Sequence, residues 1–414
     1  VGTAPADAEE PGGLPLRARG GRHGPGTGPA LRGRGGRIGG VSELVIPAEL
    51  LPEDGRFGSG PAKVRPEALA ALASSPLMGT SHRRPGVRGV VARIRERLAE
   101  LYRMPDGYQV ILGNGGATSF WDLACASLIE RRSSHASYGS FSRKFASAAS
   151  RTPWLRPPLV TEAPFGQGCL PAVEDGIDVY AWAQNETSTG VAMPVGRPAG
   201  AADDALVLID ATSAAGGIDA DLTQADALYF SPQKNLGSDG GLWLSFCSPA
   251  ALERSARLTA GHDGRWVPDT LNLTLAAANA AKDQTLNTPA LATLILLDEQ
   301  LGWMLEHGGM GFVTARTADS SRRIYEWAQA CPCARPFVAD PALRSPVVVT
   351  VVFDGTVDAP LLCRTLRANG ILDIEPYRAL GTDQMRVGVF ASVDPDDVSR
   401  LLGCIDWVLE RIVD

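Results

Sequence analysis

The sequence predicts an α/β fold, with a large domain whose mostly parallel sheet is flanked by helices and a smaller C-terminal α+β domain. Three observations predict it. Between positions 109 and 246, apolar runs of strand length alternate with stretches of helix length, the rhythm of strand–helix–strand units. Leu206-Val207-Leu208-Ile209 has no polar interruption, as expected of a strand covered on both faces. Beyond Thr317 the order shortens, with strand candidates only at 347–353 and 385–390 among helices at 321–330, 359–369 and 395–412. The expected boundaries are 41–315 for the large domain and 316–414 for the small one.

Composition narrows the function classes. With 414 residues, 44% of them apolar, the chain can bury a large core. It has no apolar run near the roughly 18 residues of a membrane span, and its arginine-bearing start lacks the apolar segment of a secretory signal. Seven scattered cysteines suit a reducing compartment, so a cytoplasmic protein without membrane contacts is expected. Cys331-Pro332-Cys333 has one residue between its thiols and no second pair, which argues against a zinc site; no metal is expected. A net charge of −7 argues against nucleic-acid binding.

Residues 1–40 are rich in Gly, Pro and Arg and predict a disordered leader. Six arginines there face three acids, so the body carries −10 where the whole chain carries −7. Arg56-Phe57-Gly58-Ser59-Gly60-Pro61-Ala62 is too irregular for helix or strand; it is either a domain-entry loop or a close backbone approach to a ligand. A short helix is expected at 66–74 and a second at 90–102. Between them Gly79-Thr80-Ser81-His82-Arg83-Arg84-Pro85-Gly86 holds cations that are either solvated or functional.

A buried strand is expected at 109–112, then Gly113-Asn114-Gly115-Gly116-Ala117-Thr118 and a helix at 119–129. A strand, a glycine turn and a helix N-terminus together make an anion site, or simply a tight turn. Phe141 follows among small residues, as core or as a stacking platform. The strand at 178–183 ends in Gln184-Asn185-Glu186-Thr187-Ser188-Thr189-Gly190, a polar cluster where open sheets bind ligands. Asp210 closes the next strand, as a cap or a functional carboxylate.

Lys234 lies between the apolar run 227–230 and a glycine cluster, ahead of a strand at 242–246. Burial there disfavours the ammonium, and a neutral amine can form a Schiff base with an aldehyde; the alternative is an ordinary loop lysine. Thr288 before Pro289 suits the cap of a long apolar helix at 290–307. Arg378 and Arg386 bring cations to the C-terminal unit, Arg386 within a strand pattern. Taken together, amides for a phosphate, an aromatic face, an acid and an amine meet the requirements of pyridoxal 5'-phosphate.

From about Asp54 onward the chain resembles the phosphoserine aminotransferases, fold-type I pyridoxal phosphate enzymes. The resemblance rests on Arg56-Phe57-Gly58-Ser59-Gly60-Pro61, Gly79-Thr80-Ser81-His82-Arg83, Gly115-Gly116-Ala117-Thr118, Asn185-Glu186-Thr187-Ser188-Thr189-Gly190, Asp210-Ala211-Thr212-Ser213, Pro232-Gln233-Lys234-Asn235 and Asn287-Thr288-Pro289. It implies that Lys234 is the covalent anchor and Asp210 the partner of the pyridine nitrogen. Phe141 would stack on the ring, where many members carry tryptophan, and Thr187 would bond its hydroxyl side. Gly116, Ala117 and Gln233 would hold the cofactor phosphate, with Asn287 and Thr288 from the other subunit of a homodimer with shared active sites. Arg386 would clamp the substrate α-carboxylate, and His82, Arg83 and Arg378 would read its phosphate. Tyr377 stands where other branches have histidine.

The implied reaction converts L-glutamate and 3-phosphohydroxypyruvate to 2-oxoglutarate and O-phospho-L-serine in serine biosynthesis, with or without the 4-phosphohydroxythreonine pair of pyridoxine biosynthesis as a second substrate pair. Another fold-type I aminotransferase or lyase, or a cofactor-binding protein without turnover, are the alternatives.

Overall fold

The computed structural model describes residues 44–261 and 264–413. The leader expected over 1–40 lies outside the described residues. Helix α1 (Pro66–Ser74) coincides with its expectation, whereas α2 (Pro85–Leu101) starts five residues earlier than 90. Pro85 occupies its first position, where the missing N–H costs nothing. Strand β1 (Gln109–Asn114) leads through Gly115, at φ +121°, into α3 (Ala117–Ser127).

The next three elements, β2 (Ser133–Ser137), α4 (Ser140–Arg151) and β3 (Leu159–Glu162), were not legible. Strand β2 reads Ser-Ser-His-Ala-Ser yet is buried throughout. Two of its hydroxyls are satisfied inside: Ser134 Oγ donates to Ala172 O at 2.7 Å, and Ser133 Oγ meets His135 Nε2 at 2.8 Å. The chain continues through β4 (Val179–Ala183), the short hairpin β5 (Asn185–Glu186) and β6 (Val191–Ala192), β7 (Leu206–Asp210), β8 (Ala227–Phe230) and β9 (Leu242–Cys247).

Seven strands form one sheet in the order β1-β9-β8-β7-β4-β2-β3. All run in the same direction except β9, which is antiparallel to β1 and β8. The register sets Ala183 beside Asp210 and Asp210 beside Tyr229. The carboxyl ends of β4, β7 and β8 therefore finish at one level.

Helices cover both faces. Val90, Ile94 and Leu98 of α2 share one core with Leu294, Leu297 and Leu301 of α7 (Leu291–Glu306). On the other face α3 and α4 pack with α5 (Pro249–Thr259) and α6 (Leu273–Ala280), and Phe120 stacks on Tyr229 at 4.2 Å between ring centres. Thr288 does not cap α7; the cap position is Ala290, because Pro289 pushes the first helical turn onward to Leu291.

Helix α8 (Gly309–Ala330) is continuous, where a helix was expected only from 321. Gly309 and Gly311 do not interrupt it, because Met310 and Val313 beside them anchor the first turn in the large-sheet core. Ile324 and Ala328 at its other end pack into the C-terminal core. That core lies on an antiparallel sheet of β10 (Ala334–Pro336), β11 (Val348–Phe353) and β12 (Gln384–Gly388), covered by α8, α9 (Ala359–Ala368) and α10 (Pro395–Ile412). Ile46 and Phe57 also belong to it, so the start of the described chain packs with the C-terminal unit and not with the large sheet. No helix among the described residues is long and apolar enough to cross a membrane.

Candidate active site

Beyond the level ends of β4, β7 and β8 lies a cavity of about 470 Å³. Lys234 enters it from the turn after β8. The residue is 7% exposed, its amine donates to Thr187 Oγ1 at 2.8 Å, and the nitrogen sits 5.1 Å from the centre of the Phe141 ring. Burial pulls its pKa from 10.5 down to about 8, against the opposing pull of Asp210, and Arg386 adds to the lowering. The loop lysine is excluded. Gly60 makes the approach possible: at φ +139°, a Cβ there would stand 2.7 Å from Lys234 Cε.

Asp210 faces the same space from the end of β7. It accepts the Thr212 amide at 2.9 Å across two residues, and no helix starts behind it, so it is not a helix cap. Burial raises its pKa, with the Thr212 bonds and Lys234 opposing. A cationic partner would relieve that strain on the charged form.

Gly116, Ala117 and Thr118 at the start of α3 line the cavity too. First-turn amides have no acceptor inside their own helix, so they are free for an anion. Two buried polar atoms of cavity residues have no partner among the described residues: Asn185 Oδ1 and Gln233 Oε1. Six of the predicted contacts, Gly116, Ala117, Phe141, Thr187, Asp210 and Gln233, thus meet around Lys234.

Glu186 belongs to the polar motif after β4, where the sequence alone assigns it no role. It is fully buried, and its carboxylate accepts the amides of Phe141 at 3.1 Å, Ser142 at 2.9 Å and Ser188 at 3.1 Å, with the hydroxyls of Ser142 and Ser188. An anion at the N-terminus of α4 is well placed for its dipole. The only signal in sequence was an acid between two strand-end polar residues.

Arg386 on β12 donates through Nη1 to the Thr187 carbonyl at 2.8 Å, and its guanidinium lies 5.2 Å from the Tyr377 ring centre. Its Nε has no partner among the described residues, and burial lowers its pKa. The Tyr377 ring is 5.9 Å from that of Phe141. Arg378, next to it, is exposed and makes no ion pair among the described residues.

His82, Arg83, Asn287 and Thr288 do not line the Lys234 cavity of their own chain; they gather in a second group. Thr288 Oγ1 meets His82 Nδ1 at 3.3 Å, Arg83 donates to Gln284 Oε1 at 2.7 Å and to Leu286 O at 3.3 Å, and Asn114 Nδ2 donates to Thr288 O at 2.7 Å.

Comparisons with known proteins place this geometry among relatives. The sequence model of the class-V aminotransferases matches residues 169–372. A candidate phosphoserine aminotransferase of Mycolicibacterium vanbaalenii is 57% identical over 373 residues, 90% of this chain and 100% of the relative. The phosphoserine aminotransferase of Rhodococcus jostii is 52% identical over 374 residues, with the same coverage of 90% and 100%. Among solved structures, the phosphoserine aminotransferase of Cytophaga hutchinsonii matches with a TM-score of 0.78 at 24% identity, covering 87% of this chain and 99% of that one. That of Bacillus circulans subsp. alkalophilus gives 0.74 at 21% identity, with 86% and 98% covered. At these identities the two structures speak to the fold.

Proposed function

The chain belongs to the phosphoserine aminotransferase family of class-V aminotransferases, and from that premise we propose that it moves an amino group from L-glutamate to 3-phosphohydroxypyruvate. The products are 2-oxoglutarate and O-phospho-L-serine, in serine biosynthesis. The observation that carries the proposal is the buried Lys234 amine sharing one cavity with Asp210.

The donor set fits pyridoxal 5'-phosphate. Free first-turn amides of α3 and Gln233 suit the phosphate, the Phe141 face suits the ring, and Asp210 suits a protonated ring nitrogen. When bound, that group supplies an electron sink for the charge left at the substrate Cα. The rest is the work of the chain. Lys234, poised near neutrality, takes the proton from the substrate Cα and would carry it past the amino nitrogen, two bonds away. Thr187 orients that amine before the substrate arrives. Asp210 keeps the ring nitrogen protonated. Arg386 grips the α-carboxylate in a fork that ammonium cannot reproduce.

The distal group of the substrate, phosphate or carboxylate, falls to Arg378 and to His82 and Arg83 of a second copy. What supports a homodimer with shared sites is the separate grouping of His82, Arg83, Asn287 and Thr288 away from their own cavity. The proposal places this dimer in the cytoplasm.

A coupled assay with O-phospho-L-serine and 2-oxoglutarate, beside a panel of other amino donors, tests the substrate. Lys234→Ala tests the site: cofactor absorbance and turnover both disappear. Full activity in that variant, or better turnover with another donor, ends the proposal.

A further inference from the structure

Lys144 on α4 has no role in the reading above, yet it lines the Lys234 cavity. It is exposed, so it borders the cavity from the solvent side. Helix α4 contains no acidic residue, so no partner stands one turn away along the helix. Lys144 makes no ion pair elsewhere among the described residues. It also lies close to the positive end of its helix, where a cation gains nothing from the dipole.

What Lys144 does touch is Phe141. Its ammonium lies 5.1 Å from the centre of that ring, the same separation as for Lys234. The ring in turn meets Tyr377, which lies beneath the Arg386 guanidinium and directly precedes Arg378. Tyr377 offers a hydroxyl but no charge. The Phe141 ring thus has Lys144 as one neighbour and Tyr377, the residue before Arg378, as another.

We propose that Lys144 is a specificity-determining residue, its ammonium receiving the distal anionic group of the substrate opposite Arg378. The inference rests on the aminotransferase reading above and adds a residue to it. An ammonium on a flexible stem suits the task, because one pocket must take a tetrahedral phosphate in one half-reaction and a planar carboxylate in the other. A guanidinium fork is matched to a fixed planar partner; a point charge follows either shape.

The test uses holoenzyme carrying Lys144→Met, which keeps the apolar stem over Phe141, and Lys144→Arg, which keeps the charge. Steady-state kinetics with O-phospho-L-serine are read beside an absorbance titration of cofactor affinity. Loss of one charge-assisted contact predicts a KM about tenfold higher in Lys144→Met, with a smaller change in kcat. Cofactor affinity stays at the unsubstituted value, and Lys144→Arg recovers most of the KM. An unchanged KM overturns the inference. So does weaker cofactor binding with normal KM at saturating cofactor, which would assign Lys144 to the cofactor's phosphate. Failure of the underlying reading is a separate result, no phosphoserine turnover by the unsubstituted enzyme, and it removes the inference as well.

Discussion

The Glu186 carboxylate accepts the Phe141 backbone amide, so the aromatic wall of the cavity is held by a buried charge from a different strand connection. Glu186→Gln keeps the volume but turns an N–H donor toward amides that need an acceptor. Hydrogen bonds to a charged group contribute about 1.5–3 kcal/mol each. We expect a stability loss of about 2–3 kcal/mol in urea melts and weaker cofactor binding. An unaltered denaturation midpoint would show that the bonds carry no net weight.

Lys234 predicts a pH dependence of cofactor uptake. Its pKa of about 8 lies below the ordinary 10.5, so the amine is neutral above about 8 and protonated below. Only the neutral amine attacks an aldehyde. Uptake of pyridoxal phosphate by the cofactor-free protein should fall tenfold per unit below that midpoint, followed by absorbance in stopped flow. A midpoint near 10.5 would contradict a buried amine.

For Asp210→Asn, structure and function pull in opposite directions. Burial raises the Asp210 pKa in the folded protein, so its charge is a burden above that pKa and the burden lifts as pH falls. Removing the charge should therefore raise the melting temperature of the cofactor-free protein at pH 7. The same change removes the partner of the ring nitrogen and should lower kcat on the order of 10²-fold, the scale of one lost electrostatic contact in a dry site. A variant that is less stable and fully active would reverse both arguments.

His135 makes the protein acid-sensitive. Burial lowers its pKa from 6.5 to about 3. The unfolded chain binds this proton below 6.5 while the folded one does not, so stability is lost as pH falls from 6.5 toward 3. At pH 5 the loss is about 2 kcal/mol. Gln at this position can still bond Ser133 but does not titrate. The deficit of His135→Gln at pH 7 should shrink by about that amount at pH 5 in urea melts, and an equal deficit at both would refute the account.

The residues that sequence reading brought together are those at strand ends. Asp210 and Lys234 follow apolar runs long enough to mark β7 and β8, and the parallel register does the rest. Gly116 and Ala117 were marked by the glycine turn. What escaped lacks such a frame. Strand β2 hides because serine and histidine fill the space that Val or Ile normally occupies. Glu186 looks like any loop acid until five donors close on it, and Lys144 like any helix-surface lysine until the cavity opens beside it. His82 and Arg83 lie away from the Lys234 cavity of their own chain, and spacing along the sequence carries no signal of that separation.

Thr187 accepts the Lys234 amine through its hydroxyl and the Arg386 guanidinium through its carbonyl. For anyone retooling this scaffold toward other amino acids, position 187 is therefore a poor place to begin. Altering its side chain perturbs the amine, and shifting its backbone perturbs the arginine. Position 144 lines the same chamber without touching that junction, whereas Tyr377 already leans on Arg386, so variation at 144 should change what is recognised while leaving the chemistry in place.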